Sequence, residues 1–415
     1  MLNRERIILY LQWFILLAFF SYDGFTYLPE EKDFALLKSL YYVTIFLSFL
    51  FITTLQMQAG KVEHRKIGSI SYFIQIFLWL YFVRIYYDFM IAGVSQSVVT
   101  NPFAAVFLYL NAAIVPFYGF YFFRWELVNL RKLNTAILLI LLAMGLSSMY
   151  AILTGKALEY LGPDGRFMGN ESMDTIAFGH LGTSITMLAI ALFYQRDIRW
   201  WHKLLSTAAI LVGLFISVAA GSRGALVALI ICFLAYLYMN GHKLKVLIGL
   251  PILATIVIVV LPYLNELLMS YDNMALERLY NSIYAPEMLD AGVSSGRDVI
   301  YEKAITNIEN HPLLGSSVFI DGEYVHNSIL EAFLGLGVFG GILFVGILAY
   351  ALFTAFRLGE KNKQYLFASL LFIQYMIYGF FSRTLSMLPV FWTTLYLVIS
   401  LKAFDDESID HNTVL

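Results

Sequence analysis

Residues 133–153 read LNTAILLILLAMGLSSMYAIL, an uncharged run directly behind Arg131-Lys132. At roughly 1.5 Å per residue, a helix of this length crosses the ~30 Å apolar core of a bilayer. Lipid offers the backbone no hydrogen-bond partner, so the run must be helical. Apolar runs of the same kind recur at 7–22, 36–57, 67–90, 102–123, 174–194, 203–221, 223–240, 244–263, 326–356, 364–381 and 384–401. Together they predict an all-α polytopic membrane protein of about 12 transmembrane helices, in a single membrane domain over 1–415. The first run follows Arg4 and Arg6 as a signal peptide would, yet lacks a small-residue cleavage site, so it reads as a retained helix. Composition agrees: of 415 residues, 60% are hydrophobic and 13% charged. A soluble domain has about 45–50% and about 25%, and a soluble fold of this composition would expose large apolar patches. A net charge of −2 gives no pointer to nucleic acid. The one cysteine, Cys232, excludes an intramolecular disulfide and a Cys-based zinc cluster.

The basic pair ahead of 133–153 also sets the orientation. With the N-terminus cytoplasmic, 17 of the 27 Lys and Arg residues fall on inner segments and eight on outer ones. Inner loops are the basic ones in multi-pass proteins, so both termini are expected in the cytoplasm. Two longer loops, roughly 154–173 and 264–325, then lie outside. In the larger one Ile300, Ala304, Ile305 and Ile308 share a helical face, Ser295 and Asp298 fit a capping box, and His311-Pro312 stops the helix. An amphipathic helix is expected there, on the outer membrane surface or against the bundle.

Outer cations sit where the orientation rule disfavours them, which makes them informative. In Gly221-Ser222-Arg223-Gly224, Ser222 is placed to cap the eighth span with Arg223 in its first turn. A cation there opposes the helix dipole unless an anion is present; free N–H groups plus a guanidinium suit a phosphate. The plain alternative is an arginine snorkelling to headgroups. Ser294-Ser295-Gly296-Arg297-Asp298 repeats the pattern at the surface helix, the alternative being a loop arginine paired with Asp298. Tyr324-Val325-His326-Asn327-Ser328 puts a histidine at the mouth of the tenth span, where it is either a hydrogen-bonded anchor or a general base. Glu323 and Glu331 are near enough in sequence to orient it. The topology brings all three motifs to one face, each at a helix start: two arginines and one base suit a diphosphate and a nucleophilic hydroxyl. Elsewhere Arg84 and Asp88, four apart in a span, read as mutually neutralising. Arg166 is an outer-loop cation with a weaker claim on sugar or phosphate, His180 reads as structural and Arg383 as a loop cation. No Walker loop, Rossmann fingerprint or His-Glu-x-x-His motif is present.

These motifs, with His311-Pro-Leu-Leu-Gly315 and the Gly335-Leu-Gly337 that follows Tyr324-Val-His-Asn-Ser-Ile-Leu-Glu331, resemble the O-antigen ligase/polymerase superfamily. The resemblance covers roughly 200–350 by motif and agrees with the span count, the orientation and the position of the large outer loop. It implies a metal-independent, cofactor-free glycosyltransferase of the bacterial inner membrane that works at the periplasmic face. The donor implied is a glycan on undecaprenyl pyrophosphate. Arg223 and Arg297 correspond to the family's pyrophosphate-holding arginines and His326 to its acceptor-activating histidine, with Ser222, Ser295, Glu323 and Arg166 as supporting candidates. A polymerase passes the glycan to another lipid-linked repeat unit, a ligase to lipid A-core, and related protein O-glycosyltransferases share the pattern. The reading taken is polymerase, with the lipid bilayer, an acceptor glycan and a chain-length regulator as partners. The competing class is a lipid-linked oligosaccharide transporter or flippase. Such carriers usually show two related halves, which this chain lacks, although Arg84 and Asp88 are midplane charges in its favour.

Overall fold

The computed structural model describes residues 4–21, 69–94, 102–154, 174–195, 198–242 and 297–413, with residue 168 and scattered positions within 40–55 and 255–284. Almost all of them are helical. In chain order the helices are α1 (Arg4–Phe20), α2 (Ile70–Tyr86), α3 (Pro102–Tyr109), α4 (Val115–Tyr121), α5 (Leu130–Leu153), α6 (Thr175–Phe193), α7 (Trp200–Ala219), α8 (Arg223–Met239), α9 (Arg297–Asn310), α10 (Ser328–Lys361), α11 (Leu366–Phe381) and α12 (Pro389–Thr413). Short π-helical turns extend α2 over Tyr87–Ile91 and join α3 to α4 over Leu110–Ile114. Among the described residues five helical segments are long and apolar enough to cross a bilayer: Ile70–Ile91, Leu130–Tyr150, Thr175–Phe193, Trp200–Ala219 and Ser328–Lys361. Ala105–Tyr121, Arg223–Met239 and Leu366–Phe381 are apolar but shorter. The expected twelve spans are therefore not counted among the described residues. Most of the run 244–263 and just under half of the run 36–57 lie outside them.

The bundle is centred on α6, which is buried along nearly its whole length. Small residues allow this. A Cβ on Gly182 would stand 2.5 Å from Gly213 O, and one on Gly213 would stand 2.4 Å from Thr186 Oγ1. Backbone contact of this kind replaces the hydrophobic driving force that lipid removes.

The segment from Arg297 onward, within the loop expected to lie outside, packs against α10. Helix α9 ends at Asn310, just before His311-Pro312, as expected. Its packed face is Ile300, Tyr301, Ala304 and Ile308, set against Ile320, Val325 and Leu334. Ile305 departs from the expected face: it is 51% exposed, and partly buried Tyr301 joins the packed face instead. A hairpin that the sequence reading did not include follows, β1 (Phe319–Ile320) pairing with β2 (Glu323–Tyr324). Asp321 and Gly322 both have positive φ, 52° and 84°, as a type I′ turn requires. Lys303 of α9 donates to Asp321 Oδ2 at 2.6 Å and ties helix to hairpin.

Helix α10 is interrupted at Gly337, which has φ 67° and ψ −166°. The break separates the N–H of Val338 from the carbonyl of Leu334, partners in an unbroken helix. The 311–318 segment satisfies both: Val338 N donates to Pro312 O at 2.7 Å, and Leu334 O accepts from Ser316 N at 2.8 Å. Arg84 completes the joint, with Nε on Gly335 O at 2.7 Å and Nη2 on Leu314 O at 2.8 Å. Asp88 accepts from Val318 N at 3.0 Å and lies 3.5 Å from Arg84 Nη1. The pair neutralises itself, as expected, and also clamps a loop onto a broken helix. In an apolar surrounding those freed backbone groups need partners.

Candidate functional site

One end of the bundle gathers the starts of α6, α8, α9 and α10 with the end of α11. The packing fixes this: Gly179 faces Ser222 and Ala225, Gly224 faces Phe381, and Gly379 faces Ser328. Arg383, just past α11, reaches Asp174 Oδ2 ahead of α6 at 3.4 Å. Sequence reasoning brought Arg223, Arg297 and His326 to this end.

His326 is set by its neighbours in the chain. Tyr324 ends the hairpin, and Asn327 caps α10 by accepting from Ile329 N at 3.1 Å and Leu330 N at 3.0 Å. Between them His326 is held at φ 56°. Its ring lies 4.1 Å from that of Tyr324, and its Nδ1 is buried without a hydrogen-bond partner among the described residues. Burial, and then the positive charge of Arg297, hold its pKa down to about 4. The imidazole is therefore neutral at pH 7, with one nitrogen lacking a donor.

Arg297 opens α9 and is partly buried. Its charge acts on both His326 and Tyr324, so helix and hairpin bring this arginine and this histidine together. Arg223 opens α8 at the same end and is exposed, beside the contact between Gly224 and Phe381. Ser222 occupies the position before α8 but makes no side-chain capping bond; it is buried facing Gly179 instead. Glu323 is exposed on β2 and makes no hydrogen bond to His326. Ser295 and Arg166 lie outside the described residues.

Two residues take larger parts than the sequence reading gave them. Arg383 has φ 63°; its Nε donates to Tyr378 Oη at 2.8 Å, and its charge reaches Tyr324. Burial pushes the Tyr324 phenol up, while Arg383 and Arg297 pull it down against Asp174 and Glu323. Among the described residues Asp321, His326 and Arg383 are the non-glycine positions with positive φ. Two of these three belong to this cluster, and strained backbone of this kind concentrates at functional sites. The signal for Arg383 was present: the Lys/Arg bias that singled out Arg223 counts Arg383 too among the expected outer cations. Glu331 is fully buried in the first turn of α10. It accepts from Thr384 Oγ1 at 2.6 Å, from Leu385 N at 3.1 Å and from the Tyr81 hydroxyl. It thus anchors the Arg383 turn rather than His326.

Chemically, the end offers cations for an anionic group and a neutral nitrogen for a proton. Among the described residues no group of His, Cys, Asp and Glu is placed to hold a metal ion. No curated protein matches the chain. Residues 208–345, about a third of the chain and the part that holds Arg223, Arg297 and His326, match the family model described as O-antigen ligase, which bears out over that segment the resemblance to the O-antigen ligase/polymerase superfamily.

Proposed function

We propose that the protein is an inverting, metal-independent glycosyltransferase that moves a glycan from undecaprenyl pyrophosphate to an acceptor sugar hydroxyl. The observation that carries this reading is the pairing of Arg297 with a neutral, partly buried His326, inside the segment that matches the O-antigen ligase family. His326 takes the proton of the acceptor hydroxyl. The oxygen forms a bond to the anomeric carbon as the bond from that carbon to the diphosphate breaks on the opposite face. The proton stays on the imidazole, and the negative charge leaves on undecaprenyl pyrophosphate, where Arg223 and Arg297 stabilise it. Each such contact contributes about 10²–10³ in rate. A diphosphate beside Arg297 offsets the charge that depresses His326, so the donor itself raises the basicity of the imidazole.

The site faces the periplasm in this reading, because the segments at the opposite end carry the larger share of Lys and Arg. Arg84 and Asp88 argue less for transport now that their bonds are spent on the α10 break. Arg223→Ala and Arg297→Ala should each abolish glycan transfer while the protein stays in the membrane; normal glycan in both variants would overturn the reading.

The acceptor is proposed to be a second lipid-linked repeat unit, making the enzyme a polymerase that works with a chain-length regulator. The description of the matching family favours a ligase acting on lipid A-core as the second reading. Surface glycan from a deletion strain separates them. Single repeats on lipid A-core indicate a polymerase, and polymer stranded on the carrier lipid a ligase.

A further inference from the structure

The end of the bundle opposite His326 carries a cavity of about 1060 Å³ that glycan transfer leaves unused. The starts of α5 and α7 form it, with Tyr365 and Phe404 behind them. Its charged lining is Arg131, Lys132 and Arg199 against Glu126, and Glu126 is already held by Arg124 Nε at 2.6 Å. Arg131 Nε donates to Gln195 Oε1 at 3.0 Å, which fixes its guanidinium. Arg131 and Arg199 both act on His202, so charges from two helices converge on one wall. Trp201 stacks on His202 with ring centroids 3.5 Å apart. A concave surface of one sign between low-dielectric walls concentrates counter-ions.

Beyond the cations the lining becomes apolar at Ala136 and Leu139. The apolar surface continues on exposed Leu139 and Leu146 of α5, and on exposed Leu204 and Leu211 of α7. Residues seven apart share a helix face, so each helix offers a lipid-directed stripe leading away from the basic mouth. A free phosphate ion uses only the mouth; an amphiphile with a phosphate head uses both.

We propose that this cavity binds the phosphate headgroup of an anionic membrane lipid, its acyl chains lying along the α5 and α7 stripes. Basic pockets between transmembrane helices on the inner side take such headgroups, and this is the side that the Lys/Arg bias assigns to the cytoplasm. The site is independent of the glycan-transfer reading.

The test uses the full chain, delipidated in a neutral detergent. Phosphatidylglycerol, phosphatidylcholine or inorganic phosphate is added, with native mass spectrometry and thermal melting as readouts. Phosphatidylglycerol should remain bound and raise the melting temperature, while phosphatidylcholine and inorganic phosphate should do neither. Lys132→Gln with Arg199→Gln should weaken phosphatidylglycerol retention at least about tenfold. Both side chains are exposed and Arg199 makes no capping bond, so melting without lipid should be unchanged. Equal retention of phosphatidylcholine by the unaltered protein would overturn the proposal. So would an equal melting shift with inorganic phosphate, which would indicate a free-anion site, or undiminished phosphatidylglycerol binding by the double variant.

Discussion

The buried carboxylate of Glu331 accepts a 2.6 Å hydrogen bond from Thr384 Oγ1, which ties the first turn of α10 to the turn that carries Arg383. Leu385 N and the Tyr81 hydroxyl donate to the same carboxylate, so donors from two other elements, the Arg383 turn and α2, converge on it. Glu331→Ala would take from all three donors the acceptor they share, leaving Thr384 only its 3.2 Å contact with Ser386 Oγ. The expected cost is on the order of 3 kcal/mol, because stranded buried groups lose their hydration with nothing in return. Glu331→Gln keeps one acceptor oxygen and should cost about half as much. Melting in detergent measures both; a Glu331→Ala protein that melts like the unaltered one would show that the convergence stabilises nothing.

Arg383 separates a structural role from a functional one. Its pair with Asp174 is partly exposed, 29% and 53% for the two side chains, so the pair contributes at most about 1 kcal/mol after solvent screening. If its charge serves the diphosphate or the acceptor, Arg383→Ala should lower kcat/KM by about 10²–10³ while melting hardly moves. Arg383→Lys should recover only part of this, since one ammonium does not reproduce a planar fork shared between Tyr378 and Asp174. Transfer within about twofold of the unaltered enzyme, far below the loss of a site contact, would remove Arg383 from the site.

The helical class was legible because burying a backbone in lipid leaves few choices. Helices stand over the runs read at 133–153, 174–194 and 203–221 with ends shifted by at most a few residues. What stayed hidden depends on pairing across the chain. Nothing near Arg84 announces that it will meet Leu314 and Gly335, and an apolar run does not reveal that its helix breaks at Gly337. Asp321-Gly322 was a legible hairpin signal, overlooked because its strands are two residues long. Proximity in sequence misled for Glu331. His326 precedes the helix, whereas Glu331 lies a turn inside it and points toward Tyr81 and Thr384. Arg297 and His326 meet through a helix and a hairpin: the order of the spans put both at one face, and the hairpin that joins them is what went unread.

The α10 break makes its own prediction. Gly337 occupies backbone space essentially closed to other residues, and a Cβ there would stand 2.4 Å from Leu313 O. Gly337→Ala should cost on the order of 3 kcal/mol or more and reduce the yield of monodisperse protein. Arg84→Met should act similarly, because it strands the carbonyls of Leu314 and Gly335 and leaves Asp88 without its cation. Unchanged melting in both variants would mean that the joint between the 311–318 segment and α10 contributes little.

The pH dependence of transfer tests the proposed base directly. Burial and the Arg297 charge hold His326 at about 4, well below the usual value near 6.5 for histidine. A base must be neutral to accept a proton, so kcat/KM should fall only as pH drops toward 4 and stay nearly flat between about 5.5 and 7.5. Arg297→Gln removes the cation, so the pKa of His326 rises and the acid limb moves to higher pH. The height of that profile also falls, because a diphosphate contact is lost, but the position of the limb reports the imidazole alone. His326→Ala should remove the limb together with most of the rate. An acid limb near 6.5 in the unaltered enzyme, or one that Arg297→Gln leaves in place, would mean that these two residues do not share a site.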